Sequence, residues 1–304
     1  MMKIAFLISA HTDAPQLKRL INALPDESHF FVHIDKKADI NAFLNLLGTD
    51  NRVHFIEHRV NVVWGSLNEV EYQMEMVRAA LEAPQQYDRL VTLSGMDYPL
   101  WSKDRIEDFF ISNSGKEFLC GLDMTTQTKA AQLYREYRFL TSRPWKNGST
   151  RSKFRVAIRM AVSFMRIRKP LSFTIQSQNY KLYKGAAWWA ISQKLAEYIL
   201  HEWDYNNELK SYFNTSFCPA ETFAQTVAFN SPQWRDKCIE LKGDWPGLQA
   251  LTPLTYIYYH PVIKIMTEDD YDVIMNSGKM FARKFVSGKS DKLIDILCNQ
   301  QVLT

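Results

Sequence analysis

A chain of 304 residues that is 46% hydrophobic and 13% aromatic can bury one large α/β core or two small ones, which excludes the disordered class. Its formal net charge of +4 is too small to mark a nucleic-acid binder. Cys120, Cys218, Cys238 and Cys298 are widely spaced and form no CxxC pair, which argues against a zinc site and a disulfide framework and for free thiols in a reducing compartment.

The apolar run at 3–10 is too short for a signal peptide and reads as a buried strand. A polar turn at 11–15 follows. Leu17, Leu20, Ile21 and Leu24 then have helical spacing over 16–24. Strands are expected at 30–34, 53–56 and 88–93. A helix over 68–82 carries Val70, Met74, Val77 and Leu81 on one face, and another helix is expected over 103–111. This alternation predicts an α/β fold, a mostly parallel central sheet flanked by helices. Such sheets bind ligands beyond the carboxyl ends of their strands. The polar clusters 11–13, 35–37 and 94–97 fall there.

Residues 134–170 break the pattern. Arg135, Arg138, Arg143, Lys146, Arg151, Lys153, Arg155, Arg159, Arg166, Arg168 and Lys169 stand against one acid, Glu136. A helix over 153–168 would gather Arg155, Arg159 and Arg166 on one face, apart from Phe154, Ile158, Val162, Met165 and Ile167. That is the profile of a basic amphipathic helix on an anionic membrane. A solvated surface helix is the alternative. Nucleic acid ranks third, because no stacking motif accompanies the charge. Alternation resumes with a strand at 184–191, a helix at 193–203, a helix at 220–229 opened by Pro219, a short helix at 269–276 and a strand at 281–285. No linker divides the chain, so 1–304 is expected to be a single domain with a basic, membrane-facing insertion at about 134–170. No apolar stretch approaches the roughly 20 residues of a membrane span. The expected location is therefore the cytoplasm, with or without peripheral contact at the inner face of the cell membrane.

Four local patterns stand in order: Val32-His33-Ile34-Asp35-Lys36-Lys37, Leu93-Ser94-Gly95-Met96-Asp97-Tyr98-Pro99-Leu100, Cys218-Pro219-Ala220-Glu221-Thr222-Phe223 and Phe281-Ala282-Arg283-Lys284-Phe285. Trp64-Gly65 and Lys184-Gly185 lie between them. Together they resemble the H-x-D-x-K, S-G-x-D-Y-P-L, S-P-D-E-x-F and F-A-R-K-F elements of the core-2/I-branching β-1,6-N-acetylglucosaminyltransferase family, which includes the peptide O-xylosyltransferases. The resemblance runs from about residue 3 to residue 285.

It implies a GT-A-like, Rossmann-related fold and inverting, metal-independent transfer from a UDP-sugar. The UDP-sugar is a substrate, so no cofactor is expected. The donor sugar would be N-acetylglucosamine or xylose, and the acceptor a glycan or lipid-linked saccharide. Glu221 matches the family's general base. Read without the resemblance, it is a first-turn acid favouring a helix dipole. Arg283 and Lys284 match the diphosphate-binding pair, although strand alternation would point them to opposite faces. The resemblance sets Asp35 against the uracil or ribose. His11 and Asp13, at the end of the first strand, would sit near the same nucleotide; Asp97, in the loop after its strand, would line the donor pocket, and Trp64 and Gly65 would approach the donor or shape the pocket. Two departures stand out. Ala220 replaces an aspartate, and the family's arginine upstream of the closing motif is missing, with only His260 and Lys264 in that region. Asp270-Tyr271-Asp272 spells D-x-D but follows no apolar strand and reads as a helix cap, so no metal ligands are assigned. Trp203, Trp234, Trp245 and Tyr259 are candidate faces for the acceptor sugar, Trp245 foremost.

Two other readings compete. One is a non-catalytic carbohydrate-binding or membrane-associated scaffold that kept the fold. The other is a nucleotidyltransferase, which would need a glycine-rich phosphate loop that 9–13 lacks.

Overall fold

The apolar N-terminal run forms a strand because both of its faces find cover. The structure, a computed structural model, describes residues 2–142 and 148–301, so Arg143 and Lys146 of the basic segment lie outside the described residues. The first half of the chain gives β1 (Ile4–Ala10), α1 (Ala14–Asn22), β2 (His29–Ile34), α2 (Asn41–Leu47), β3 (Val53–Phe55), α3 (Asn68–Glu82), β4 (Arg89–Ser94), β5 (Asp97–Pro99), α4 (Lys103–Ser112) and β6 (Cys120–Asp123). The second half gives α5 (Thr150–Phe164), β7 (Ser172–Ile175), β8 (Gln178–Lys181), β9 (Tyr183–Lys184), β10 (Ala190–Ile191), α6 (Gln193–Tyr205), α7 (Asn207–Asn214), α8 (Phe223–Phe229), β11 (Ile239–Leu241), α9 (Leu248–Leu251), β12 (Thr255–Ile257), α10 (Tyr271–Met275), β13 (Phe281–Arg283) and α11 (Asp291–Gln301).

The central sheet has the order β10-β4-β1-β2-β3, with β10 antiparallel to β4 and the other pairs parallel. Strand alternation divides β1 between two cores. Ile4, Phe6 and Ile8 pack with Leu17, Leu20 and Ile21 of α1 and Ile106 and Phe110 of α4. Ala5 and Leu7 pack with Val70, Met74 and Val77 of α3 and Ile199 of α6. Each fully buried Phe or Leu here contributes roughly 2–3 kcal/mol. Burial on both faces is why these strands read as continuous apolar runs. Two three-stranded sheets, β11-β6-β9 and β12-β13-β5, and the two-stranded β7-β8 accompany it. The second three-stranded sheet sets β13 antiparallel to β5, with Arg283 opposite Asp97.

Several boundaries differ from the sequence reading. The strand expected at 184–191 is interrupted: β9 pairs with β6, and β10 pairs with β4. The break lies at Gly185, whose N–H donates to Glu221 O at 2.8 Å. A Cβ there would sit 2.2 Å from Cys120 O, so only glycine permits this approach. The helix expected at 220–229 is a 3₁₀ turn, Pro219–Glu221, followed by α8. Asp13 starts α1 earlier than expected by accepting from Gln16 N. Helices α2, α7, α9 and α11 were not expected. Between them, α2 and α7 bury only Phe43, Leu47, Leu209 and Phe213, too few for a clear period.

Candidate active site

At the carboxyl ends of β1, β2 and β4 lies a cleft of about 700 Å³. It brings together His11, Asp35, Trp64, Glu221 and Arg283, five of the nine residues singled out from the sequence. The loop after β2 is tied down from behind. Arg59 donates from Nε to Ile34 O at 3.0 Å and from Nη2 to Asp35 O at 2.8 Å. The Asp35 carboxylate pairs with Lys37 Nζ at 3.2 Å, and Lys37 also reaches Val62 O across the cleft floor. His33 is structural. Its Nε2 accepts from Val60 N at 2.9 Å, its ring stacks on Tyr72, and burial drives its pKa down to about 4.

The cationic wall comes from the strand pairing. Arg283 leaves β13 beside Asp97 on β5, and its Nη1 donates to Asp97 Oδ1 at 3.1 Å. Asp97 also accepts from Trp188 Nε1 and Ser94 N, each at 2.8 Å. It is fully buried and does not line the cleft. Burial pushes its carboxyl up, against the pull of Arg283 and the two N–H donors. Asp97 is thus a strut that holds Arg283 and Trp188 at the cleft wall. The Arg283 guanidinium lies 5.3 Å from the centroid of the Trp188 ring. Its Nε is buried and has no hydrogen-bond partner among the described residues. Arg283 lines the cleft, whereas Lys284, one residue past the end of β13, does not. Burial lowers the pKa of His11; the charge of Asp35 raises it in part, and Arg283, Lys284 and Lys37 add to the lowering. Asp13 does not line the cleft. Its carboxylate caps α1 and accepts from Ser287 N at 2.8 Å, which leaves it a role in joining two loops.

Glu221 is presented by the turn that follows Cys218, a residue with φ of 44°. Its carboxylate is ion-paired with Lys184, which is buried and also donates to Gly185 O at 2.6 Å. The sequence marked Lys184-Gly185 only as part of the motif order. The structure makes Gly185 the clasp on the Glu221 backbone and Lys184 the clasp on its side chain.

A second carboxyl group, Glu69 on α3, enters the same cleft and was not anticipated. Gly65, at φ 72°, turns its N–H onto Glu69 Oε2 at 2.7 Å. Burial, countered by that hydrogen bond and reinforced by the charge of Glu221, raises Glu69 from the ordinary 4.5 to about 7. The native state therefore holds this proton more tightly than the unfolded chain does. Its contribution to stability is full below pH 4.5 and is lost as pH rises to about 7. The loss amounts to about 3 kcal/mol. Glu69→Gln keeps the acceptor for Gly65. It is expected to stabilise the protein at pH 8 and to be near neutral at pH 4. Urea unfolding at the two pH values checks this, and equal effects at both would show that Glu69 titrates as an ordinary carboxyl.

Glu221 also borders a second cleft of about 520 Å³, lined by Tyr134, Lys184, Trp245, Gln249, Tyr258 and Tyr259. Trp245 and Tyr259 are 44% and 63% exposed, so their faces are open to a sugar ring. Trp203 and Trp234, the other two candidate faces, are buried in the core and unavailable. Trp64 is 76% exposed at the mouth of the first cleft and meets Phe217 edge-on. Neither His260 nor Lys264 lines the first cleft, and Lys264 is paired with Asp270. Asp270 itself closes a capping box with Thr267, as expected of a cap.

A mostly parallel α/β sheet with a cleft at its carboxyl edge is the GT-A-like, Rossmann-related arrangement that the sequence implied. The chain belongs to the family of glycosyltransferases described as Core-2/I-Branching enzyme, whose model matches residues 4–247. It is 26% identical over 238 residues to human xylosyltransferase 2, covering 76% of this chain and 25% of that protein. It is 22% identical over 320 residues to the Caenorhabditis elegans xylosyltransferase sqv-6, covering 97% of this chain and 35% of that protein. The chain thus spans about a quarter to a third of the length of these relatives. Among solved structures, it is similar to mouse xyloside xylosyltransferase 1 in its apo form, with TM-score 0.33 and 10% identity over 92% of this chain and 97% of that one. It is also similar to 4-diphosphocytidyl-2C-methyl-D-erythritol synthase from Anaerococcus prevotii, with TM-score 0.38 and 14% identity over 90% and 95%.

Proposed function

We propose that the chain is an inverting, metal-independent glycosyltransferase that moves N-acetylglucosamine or xylose from UDP to a hydroxyl of a glycan or lipid-linked saccharide. One observation carries this reading: the Glu221 carboxylate stands on the border between a cleft with a cationic wall and a cleft lined by aromatic faces. The first suits a nucleotide diphosphate, with Asp35 and His11 toward the nucleoside and Arg283, Lys284 and Lys37 toward the phosphates. The second suits an acceptor sugar stacked on Trp245 and Tyr259.

The reaction follows from that placement. The acceptor hydroxyl gives its proton to Glu221 as its oxygen bonds to the anomeric carbon. The bond from that carbon to the phosphate oxygen breaks on the opposite face, and its electron pair leaves on UDP. Arg283 and Lys284 stabilise the charge that develops on the diphosphate, which is the work a metal ion performs in other enzymes. Asp97 holds Arg283 ready, and Lys184 fixes the rotamer of Glu221. In this reading the whole chain is one catalytic domain with residues 134–170 as an insertion. Its four unpaired cysteines agree with work in the cytoplasm.

Incubation with α-configured UDP-N-acetylglucosamine or UDP-xylose, a panel of saccharide acceptors and EDTA tests the proposal. Release of UDP with a β-linked product is expected. An α-linked product would overturn inversion, and donor binding without turnover on any acceptor would favour the scaffold reading.

A further inference from the structure

The basic segment leaves one helix face without protein cover. Of the fifteen residues of α5, only Ser152 is buried. Phe154, Ala157, Ala161 and Phe164 follow one another at helical spacing along its outward side, with Met160 beside them. Phe164 is 88% exposed, Met160 66% and Phe154 61%. Met165 and Ile167 continue the apolar surface past the helix end. Exposed cations flank it: Arg151 and Lys153 at the first turn, Arg166 and Arg168 after the last. No Asp or Glu occurs between Glu136 and Glu197, so the segment supplies no acid of its own to neutralise them.

The base of the segment, by contrast, is fixed. Lys169 is buried and donates to Tyr212 O at 2.6 Å and Thr215 Oγ1 at 2.7 Å. Arg138 N donates to Thr215 O, and the Arg138 guanidinium pairs with Glu136 and lies 5.0 Å from the Phe217 ring centroid. Phe217 in turn touches Trp64 at the cleft mouth and Tyr134 in the aromatic cleft. The two ends of the segment are therefore anchored near Phe217, which meets a residue of each cleft.

We propose that the outward face of α5 docks on an anionic lipid bilayer, with Phe154, Met160 and Phe164 in the acyl boundary and Arg151, Lys153, Arg166 and Arg168 among the headgroups. An apolar stripe rimmed by unopposed cations matches a surface that offers hydrocarbon and negative charge together. A second copy of this chain matches it less well, because two-fold pairing through the stripe would set the same cations against each other. The docking surface stands independently of the transfer reading. If both hold, the docked helix brings the clefts beside the membrane, where a lipid-linked acceptor would be found.

Flotation of the full chain with phosphatidylcholine vesicles, with and without phosphatidylglycerol, tests the proposal. Binding is expected only with the anionic lipid and is expected to weaken at high salt. The triple variant Phe154→Ser/Met160→Ser/Phe164→Ser should lower the bound fraction by about tenfold or more, with thermal unfolding and UDP affinity unchanged. Replacing Arg151, Lys153, Arg166 and Arg168 with glutamine should abolish the preference for phosphatidylglycerol without touching the apolar stripe. The proposal is overturned by equal partition onto neutral and anionic vesicles, or by no flotation at all. Sedimentation showing a dimer that the serine variant dissociates, without vesicle binding, would assign the face to a second copy. Salt-sensitive oligonucleotide binding that survives the serine substitutions would assign the charge to nucleic acid.

Discussion

Glu221→Gln is expected to bind UDP as the native protein does and to turn over at least about 100-fold more slowly, the usual cost of losing a general base. The substitution isolates the proton-accepting role. The amide matches the carboxylate in shape and keeps an oxygen for Lys184 Nζ, so the turn from Cys218 to Glu221 and its bond to Gly185 N should persist. What is lost is the capacity to take a proton from the acceptor hydroxyl. Steady-state UDP release together with UDP titration reads the two effects separately. Unchanged turnover would remove Glu221 from the mechanism. Joint loss of turnover and UDP affinity would make it a structural residue of the cleft.

Arg283→Ala is expected to act twice. It removes the phosphate-facing cation, and it leaves Asp97 fully buried with Trp188 Nε1 and Ser94 N as its remaining carboxylate donors among the described residues. Stranding one partner of a buried ion pair costs about 3–5 kcal/mol. The double variant Asp97→Asn/Arg283→Ala removes the stranded charge and should recover much of that stability. Because the two residues are in direct contact, their effects will not add. UDP affinity should stay at least about tenfold lower in both variants, the scale of a lost charge-assisted contact, while uridine affinity stays unchanged. Recovery of UDP binding in the double variant would show that Arg283 serves only to neutralise Asp97.

These two variants mark the boundary of what the sequence made legible. The strands of the central sheet were readable because helices cover both faces, which leaves a continuous apolar signature in β1, β2 and β4. Residues at the ends of those strands were readable for the same reason, and His11 and Asp35 reach the cleft as expected. Partners distant in sequence were not readable. The Lys184–Glu221 pair joins residues 37 apart across two different elements. Nothing in the local sequence separates Asp97 as a buried strut from Asp97 as a wall residue, because that choice depends on the β5–β13 register. Glu69 was hidden differently. It sits one residue from the inward-facing Val70 in the first turn of α3, where an acid reads as ordinary dipole compensation, and only the structure shows the bond it accepts from Gly65 N and its place in the cleft. Trp203 and Trp234 show the converse, since their aromatic faces are spent inside the core.

The central claim is a donor site whose diphosphate is held by protein cations. Calorimetric titration of the native protein in EDTA with uridine, UDP, UDP-N-acetylglucosamine and UDP-xylose tests it most directly. The account predicts that UDP binds much more tightly than uridine without any divalent ion, and that one of the two sugar nucleotides binds at least as well as UDP. Equal affinity for uridine and UDP, or binding that appears only when manganese is added, would contradict it.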